Sequence, residues 1–311
     1  MIQPPALKPG DRVAILSPAG PVNPTLLAEG LKVLESWGLD AVLCRDVYAR
    51  RPPADYLAGD DSCRVNALHR ALSDPSIAAV ICSRGGYGTM RLLPHLDTDM
   101  IRQSPKLLVG FSDITALHIY FAGILGVTTL HGPVVKSLPL HHQDPHESLG
   151  HLQTALFGTR PRPFHVEGLR TVRPGKSQGR IIGGNLSLIT NLLATEYCPN
   201  FAGMILILEE IGEVDYRLDR LFTALRLAEK TRGLAGLVLG DFTDCSGVYV
   251  PEVQINRFVE DLASEFDCPV VADFPCGHGS RNVPIPMGVE VELDADAGRL
   301  TFRDDAVSPL M

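Results

Sequence analysis

Apolar residues fall in short blocks along the first half of the chain, and the stretches between them have helical spacing. Arg12–Leu16 (RVAIL), Ala41–Leu43, Ile77–Cys82 (IAAVIC), Leu107–Gly110 and Val127–Leu130 are β-compatible runs with almost no polar interruption. Pro24–Trp37, Ser62–Leu72, a segment starting at Thr89–Leu93, and Asp113–Ile124 read as helices. Strands that are apolar on both faces and alternate with helices predict a parallel, doubly wound sheet covered on both sides. The fold class expected is α/β.

The pattern changes after Val135. Arg160–Lys176 (RPRPFHVEGLRTVRPGK) is rich in Pro, Arg and Gly, the composition of a linker. Beyond it the alternation restarts, with strands at Gly179–Ile182, Met204–Leu208, Leu237–Gly240 and Pro269–Ala272. Helices are expected from Asn185, over Tyr216–Lys230 and near Val253–Phe266, and Val289–Leu293 with Arg299–Arg303 reads as a hairpin. We therefore expect two domains, residues 1–160 and 178–311, joined by a linker over 161–177.

Composition narrows the partners. The 311 residues carry a formal net charge of −8, with 45% hydrophobic and 21% charged residues. A surface of that sign argues against nucleic acid or an anionic membrane, both of which call for a basic footprint. Seven scattered cysteines, an odd number with no CxxC, argue against a disulfide framework and a zinc site and for a reducing compartment. The first residues, MIQPPALKPGDR, lack a signal-peptide pattern. Ile114–Val134 contains no Asp, Glu, Lys or Arg, but its two histidines, three glycines and a proline suit a buried helix, turn and strand better than a membrane span.

The chemistry centres on Gly110-Phe111-Ser112-Asp113, where a strand hands over to a helix. A hydroxyl at such a corner projects from the carboxyl edge of the sheet, where ligands of doubly wound folds bind. The GxSxG elbow lacks its second glycine here, and a helix-capping serine is the competing reading. Ser83-Arg84-Gly85-Gly86-Tyr87-Gly88 opens on the same edge after another strand, making the N–H groups of Gly86 and Asp113 candidate oxyanion donors. Its spacing fits neither GxGxxG nor GxxxxGK. His278, in a glycine-flanked loop, is the candidate base. Glu209 ends an apolar strand and is the candidate acceptor for the second imidazole N–H. Its neighbour Glu210 points to the opposite face of the strand, so only one of them can serve. Arg84 is a candidate fork for a substrate carboxylate, with a structural ion pair as its rival reading. Arg217 reads as helix-face ion pairing, and His118 as a core histidine.

These residues lie in VAILSPAGPV, SRGGYGTMRLL, LVGFSDITALH, TLHGP, GGNLSLI, LILEEIGEVDYRLDRL and the later GH and PMG. In that order they resemble the LD-carboxypeptidases, serine peptidases that include murein tetrapeptide carboxypeptidases and microcin C immunity proteins. The resemblance implies a flavodoxin-like N-terminal domain carrying Ser112 as nucleophile. It implies a smaller C-terminal α/β domain carrying Glu209 and His278, with the site at the domain interface. It also implies a cytosolic, metal-independent homodimer, without cofactor, that acts on small peptides such as murein tetrapeptide and releases D-Ala in peptidoglycan recycling. Two differences stand out: the family's ED pair is EE here, and the segment after GGNL is short, which favours the peptidoglycan branch over the immunity type. An immunity-type hydrolase of aminoacyl-nucleotide conjugates and a non-catalytic wall-peptide binder are the alternative readings.

Overall fold

The computed structural model describes residues 1–143 and 148–308. The first half folds as β1 (Arg12–Leu16), α1 (Pro24–Ser36), β2 (Asp40–Leu43), α2 (Asp61–Ser73), β3 (Ile77–Cys82), α3 (Thr98–Gln103), β4 (Leu107–Gly110), α4 (Thr115–Tyr120) and β5 (Thr129–His131). Asn23 caps α1 by accepting from the N–H groups of Thr25 and Leu26, and Pro24 occupies its first turn. Beyond these lie α5 (Gly150–Leu156), β6 (Phe164–Val166), β7 (Arg170–Arg173), β8 (Lys176–Asn185), α6 (Leu186–Leu192), β9 (Ile205–Ile211) and α7 (Asp215–Leu227). The chain then forms β10 (Gly236–Thr243), α8 (Ile255–Ser264), β11 (Val270–Ala272), β12 (Ile285–Met287), β13 (Glu290–Asp294) and β14 (Arg299–Phe302).

Two sheets result. The first has the order β12-β5-β4-β3-β1-β2, with β1 to β5 parallel. That is the flavodoxin-like 2-1-3-4-5 order, whose switch point lies between β1 and β3. The second runs β6-β14-β13-β8-β9-β10-β11-β7, with a parallel centre of β8 to β11 and antiparallel margins. Alternation along the strands of the first sheet divides its side chains between two cores. Val13, Ile15, Ile81 and Val109 pack with Leu27 and Leu34 of α1 and Leu152 of α5. Ala14, Leu16, Val80 and Leu108 face the other way, into a core continuous with Ile182, Ile205 and Ile207 of the second sheet.

Several expectations need revision. The stretch 161–177 holds β6 and β7, both at edges of the second sheet, where a linker was expected. Arg170 and Arg173 on β7 are held by Asp273, Glu260 and Asp267. Ile285–Met287 crosses over to pair antiparallel with Thr129–His131 in the first sheet. The helix expected from Thr89 is two 3-10 turns, because Pro94 interrupts it. Asp113–Ile124 is a 3-10 turn, α4 and a π turn rather than one continuous helix. Among the described residues no helix is long and apolar enough to cross a membrane.

The two sheets meet where α4 lies against β8. The backbone N–H of Asn185 donates to Thr115 Oγ1 at 2.9 Å. Gly184 makes the approach possible: its φ is +129°, and a Cβ there would sit 2.4 Å from Thr115 Oγ1. Gly184→Ala is therefore expected to cost about 2–4 kcal/mol through backbone strain and overpacking. Urea denaturation checks this, and a loss below about 0.5 kcal/mol, the range of unremarkable surface substitutions, would contradict the contact.

Candidate active site

Two sheets deliver the site: β4 of the first leads into Ser112, and the carboxyl edge of the second supplies Glu209 from β9 and His278 from the loop after β11. Ser112 follows β4, and its φ of +64° places a non-glycine residue in the left-handed region. Such backbone persists only where the surroundings over-determine it. Here β4 enters the corner between β3 and β5. At its exit the carboxylate of Asp113 is fully buried and accepts from the N–H groups of Gly88 and Thr89. Those bonds tie the corner to the glycine loop that follows β3. Burial pushes the Asp113 carboxyl up, and the two N–H donors and the nearby Arg64 guanidinium oppose that push.

The hydroxyl of Ser112 lies 3.0 Å from Nε2 of His278, and Nδ1 of His278 lies 2.7 Å from Glu209 Oε2. A carboxylate oxygen can only accept, so Nδ1 is the protonated nitrogen and Nε2 is left to accept from the serine. Glu209 is completely buried, and its Oε1 has no hydrogen-bond partner among the described residues. Its polar interaction is thus concentrated on the imidazole. The ring of Phe111 packs 4.9 Å from that of His278 and covers its side.

Alternation along β9 separates the two adjacent acids. Glu209 faces His278, and Glu210 faces the other way and accepts from Asn185 Nδ2, from the N–H and hydroxyl of Ser187, and from the N–H of Ile211. Glu210 therefore fastens the start of α6 to β9. The loop that carries His278 runs over β9 and β10. Gly277 has φ +127°, and a Cβ there would come within 3.2 Å of Glu209 Oε2, so a side chain at 277 would press on the carboxylate.

Gly85 is packed against the serine, its missing Cβ lying 2.9 Å from Ser112 Cβ. The glycine loop thus reaches the hydroxyl through Gly85, with Gly86 next to it in the chain and Asp113 next to Ser112. Arg84 opens that loop; its Nη1 donates to Pro21 O at 2.8 Å and its side chain lines a cavity. Arg217 pairs with Glu213 at 3.5 Å on the exposed face of α7. His118 is buried, its Nε2 donating to Gly110 O and its Nδ1 accepting from Thr129. Burial lowers it to about 4, so it stays neutral at working pH. Among the described residues no group of three or more His, Cys, Asp or Glu could hold a metal ion, and all seven cysteines are unpaired thiols.

One acid at this edge went unnoticed in the sequence. Asp241, near the end of β10, accepts from the N–H of Gly279, while its own N–H donates to Cys276 O at 2.8 Å. It holds the His278 loop from below. Burial, and then repulsion from Glu209, raise its carboxyl to about 6, with Arg281 opposing and Asp273 adding to the rise. Because the folded value lies above the unfolded one, the native state binds more protons between about pH 4 and 6, and stability falls as pH rises through that window. Asp241→Asn is expected to be more stable than wild type above pH 6, by roughly 1–2 kcal/mol after solvent screening is allowed for. The gain should vanish near pH 4. Urea titrations at pH 4 and 7.5 test this, and a destabilised variant at pH 7.5 would contradict it.

Comparison with known proteins adds to this geometry. Residues 13–132 match the profile of the LD-carboxypeptidase N-terminal domain and residues 178–293 that of the LD-carboxypeptidase C-terminal domain. The murein tetrapeptide carboxypeptidase of Pseudomonas aeruginosa is 35% identical over 298 residues, which cover 92% of this chain and 94% of that protein. The crystal structure of a muramoyltetrapeptide carboxypeptidase from Oxalobacter formigenes superposes with a TM-score of 0.81 at 27% identity, covering 96% of this chain and all of the other. An MccF-like protein from Bacillus anthracis superposes with a TM-score of 0.87 at 25% identity, over 98% of this chain and all of the other.

Proposed function

The chain belongs to the LD-carboxypeptidase family, a family of serine peptidases, and from that premise we propose that it hydrolyses the bond between an L-centre and a C-terminal D-amino acid, releasing D-Ala from murein tetrapeptide. The observation that carries this reading is the continuous hydrogen-bonded row from Ser112 through His278 to Glu209, set on a left-handed strand-to-helix corner.

In this reading His278 Nε2 takes the proton of Ser112 as its Oγ attacks the scissile carbonyl. Glu209 fixes the tautomer and stabilises the imidazolium that forms. The backbone N–H groups of Gly86 and Asp113 hold the oxyanion, and the guanidinium of Arg84 reads the terminal carboxylate. His278 then protonates the departing amine, and water clears the acyl-enzyme by the same route in reverse. The working unit is a cytosolic homodimer, as the family resemblance implies.

The test is D-alanine release from L-Ala-γ-D-Glu-meso-diaminopimelyl-D-Ala in the presence of a chelator. Chelator-resistant release is the expected result. Hydrolysis of an aminoacyl sulfamoyl nucleotide with no release from the tetrapeptide would overturn the proposal in favour of immunity-type chemistry. Tetrapeptide binding without hydrolysis would leave a wall-peptide binder.

A further inference from the structure

A cavity of about 660 Å³ opens beside the glycine loop, lined among others by Arg50, Asp55, Tyr56, Arg84, Gly86 and Tyr87. Its walls come from the loops that follow β1, β2 and β3. It therefore lies on the carboxyl edge that also bears Ser112, at the β1/β3 switch point of the sheet. Gly86 faces this cavity while Gly85 packs on Ser112, so one residue of backbone separates the cavity from the nucleophile.

The charges around it are unspent. Arg50 and Asp55 form no ion pair among the described residues, with each other or with anything else, whereas the neighbouring Arg51 is committed to Asp60 at 2.8 Å. Among the described residues Arg84 is tethered through Nη1 alone, to a carbonyl. Two guanidinium groups and one carboxylate thus border one space. Tyr56 and Tyr87, 59% and 46% exposed with ring centroids 5.9 Å apart, give it an apolar wall. A phosphate would suit two arginines, but Asp55 would repel a dianion, and the loop lacks phosphate-cradle spacing. What matches two cations and one anion is a pair of carboxylates and one ammonium.

Resting on the proposed peptidase reading, in which Arg84 takes the terminal carboxylate, we propose that Arg50, Asp55 and the Tyr56–Tyr87 wall form a second subsite for a substrate side chain that ends in both an ammonium and a carboxylate. Arg50 pairs with that carboxylate and Asp55 with the ammonium, and the tyrosines flank the methylene chain that carries them.

Calorimetric binding to Ser112→Ala protein tests this with two tetrapeptides, one with meso-diaminopimelate before D-Ala and one with L-lysine, whose side chain lacks the second carboxylate. The diaminopimelyl peptide is expected to bind roughly tenfold or more tightly, the size of one charge-assisted contact. In Ser112→Ala/Arg50→Gln the two affinities should come within about threefold of each other. Equal affinities in the parent, or a preference that survives Arg50→Gln, overturns the subsite. Should Arg50→Gln fold poorly, Asp55→Asn measured with the same two peptides decides, since it is expected to reduce the same preference. D-alanine release by wild type is followed in parallel. Release without an Arg50-dependent preference sinks the subsite alone, and the preference without release sinks only the peptidase reading.

Discussion

Ser112→Ala is expected to lower D-alanine release at least about 10⁴-fold while leaving the fold intact, the scale on which single losses from a serine–histidine unit are felt. Two features produce the size of the effect. The Oγ removed is the atom at 3.0 Å from His278 Nε2. No thiol substitutes for it: burial raises both Cys276, the cysteine nearest His278 in the chain, and Cys82, before the glycine loop, well above the usual thiol range. The stability side of the prediction separates this from the capping reading. A capping serine replaced by alanine costs about 1 kcal/mol of stability and spares turnover. Ser112 is hydrogen-bonded to an imidazole, and alanine tolerates a φ of +64° about as poorly as serine does, so the denaturation midpoint should hardly move. Single-turnover release and urea denaturation, read on the same preparation, check both halves. More than about one-hundredth of wild-type turnover, well above the residual activity left when such a nucleophile is lost, would remove Ser112 from the mechanism.

What the sequence made legible followed from local rules. Buried parallel strands are unbroken apolar runs, so β1, β3 and β4 could be placed to within a residue or two. The corner at Ser112 was visible because a strand block and a helical block abut with no loop between them. Gly277 and Gly279 marked His278 as part of a tight loop, and the period of two along β9 told that Glu209 and Glu210 diverge. Which of the two faces the histidine depends on register against β8, where Asn185 sits opposite Glu209, and on the return of a loop nearly 70 residues later. No local pattern encodes that. The edge strands in 161–177 were hidden for a different reason. They are short, their arginines are exposed and paired with acids from distant loops, and prolines flank them, which is also how a linker reads. Ile285–Met287 in the first sheet is likewise a long-range pairing that three residues cannot announce. Asp241 could have been found by the rule that selected Glu209, an acid at the carboxyl end of a parallel strand, had that rule been applied to β10 as well.

That register makes Glu209→Gln the second large effect. Turnover is expected to fall about 10³- to 10⁴-fold with KM little changed, because the group acts on the imidazolium formed during reaction rather than on the substrate. The amide fits the same buried space, so the loss is one of charge and not of packing. It leaves an imidazolium next to a neutral partner in a site from which Glu209 is wholly shielded from water. It also allows an amide N–H to donate to Nδ1, which would move the imidazole proton to Nε2 and leave nothing to accept from Ser112. Glu210→Gln provides the internal comparison. Its carboxylate is equally buried and one residue away, but it is spent on Asn185, Ser187 and Ile211. That variant should lose stability by about 1–3 kcal/mol, since an amide cannot accept at both ends from those donors. Its turnover per folded molecule should stay within about tenfold of wild type, because no charge next to His278 has been removed. Steady-state kinetics on both variants, normalised by active-site titration, decides the matter. If Glu210→Gln proves the more crippled in kcat, the assignment of Glu209 as the orienting acid is wrong, and the alternation along β9 has been read on the wrong face.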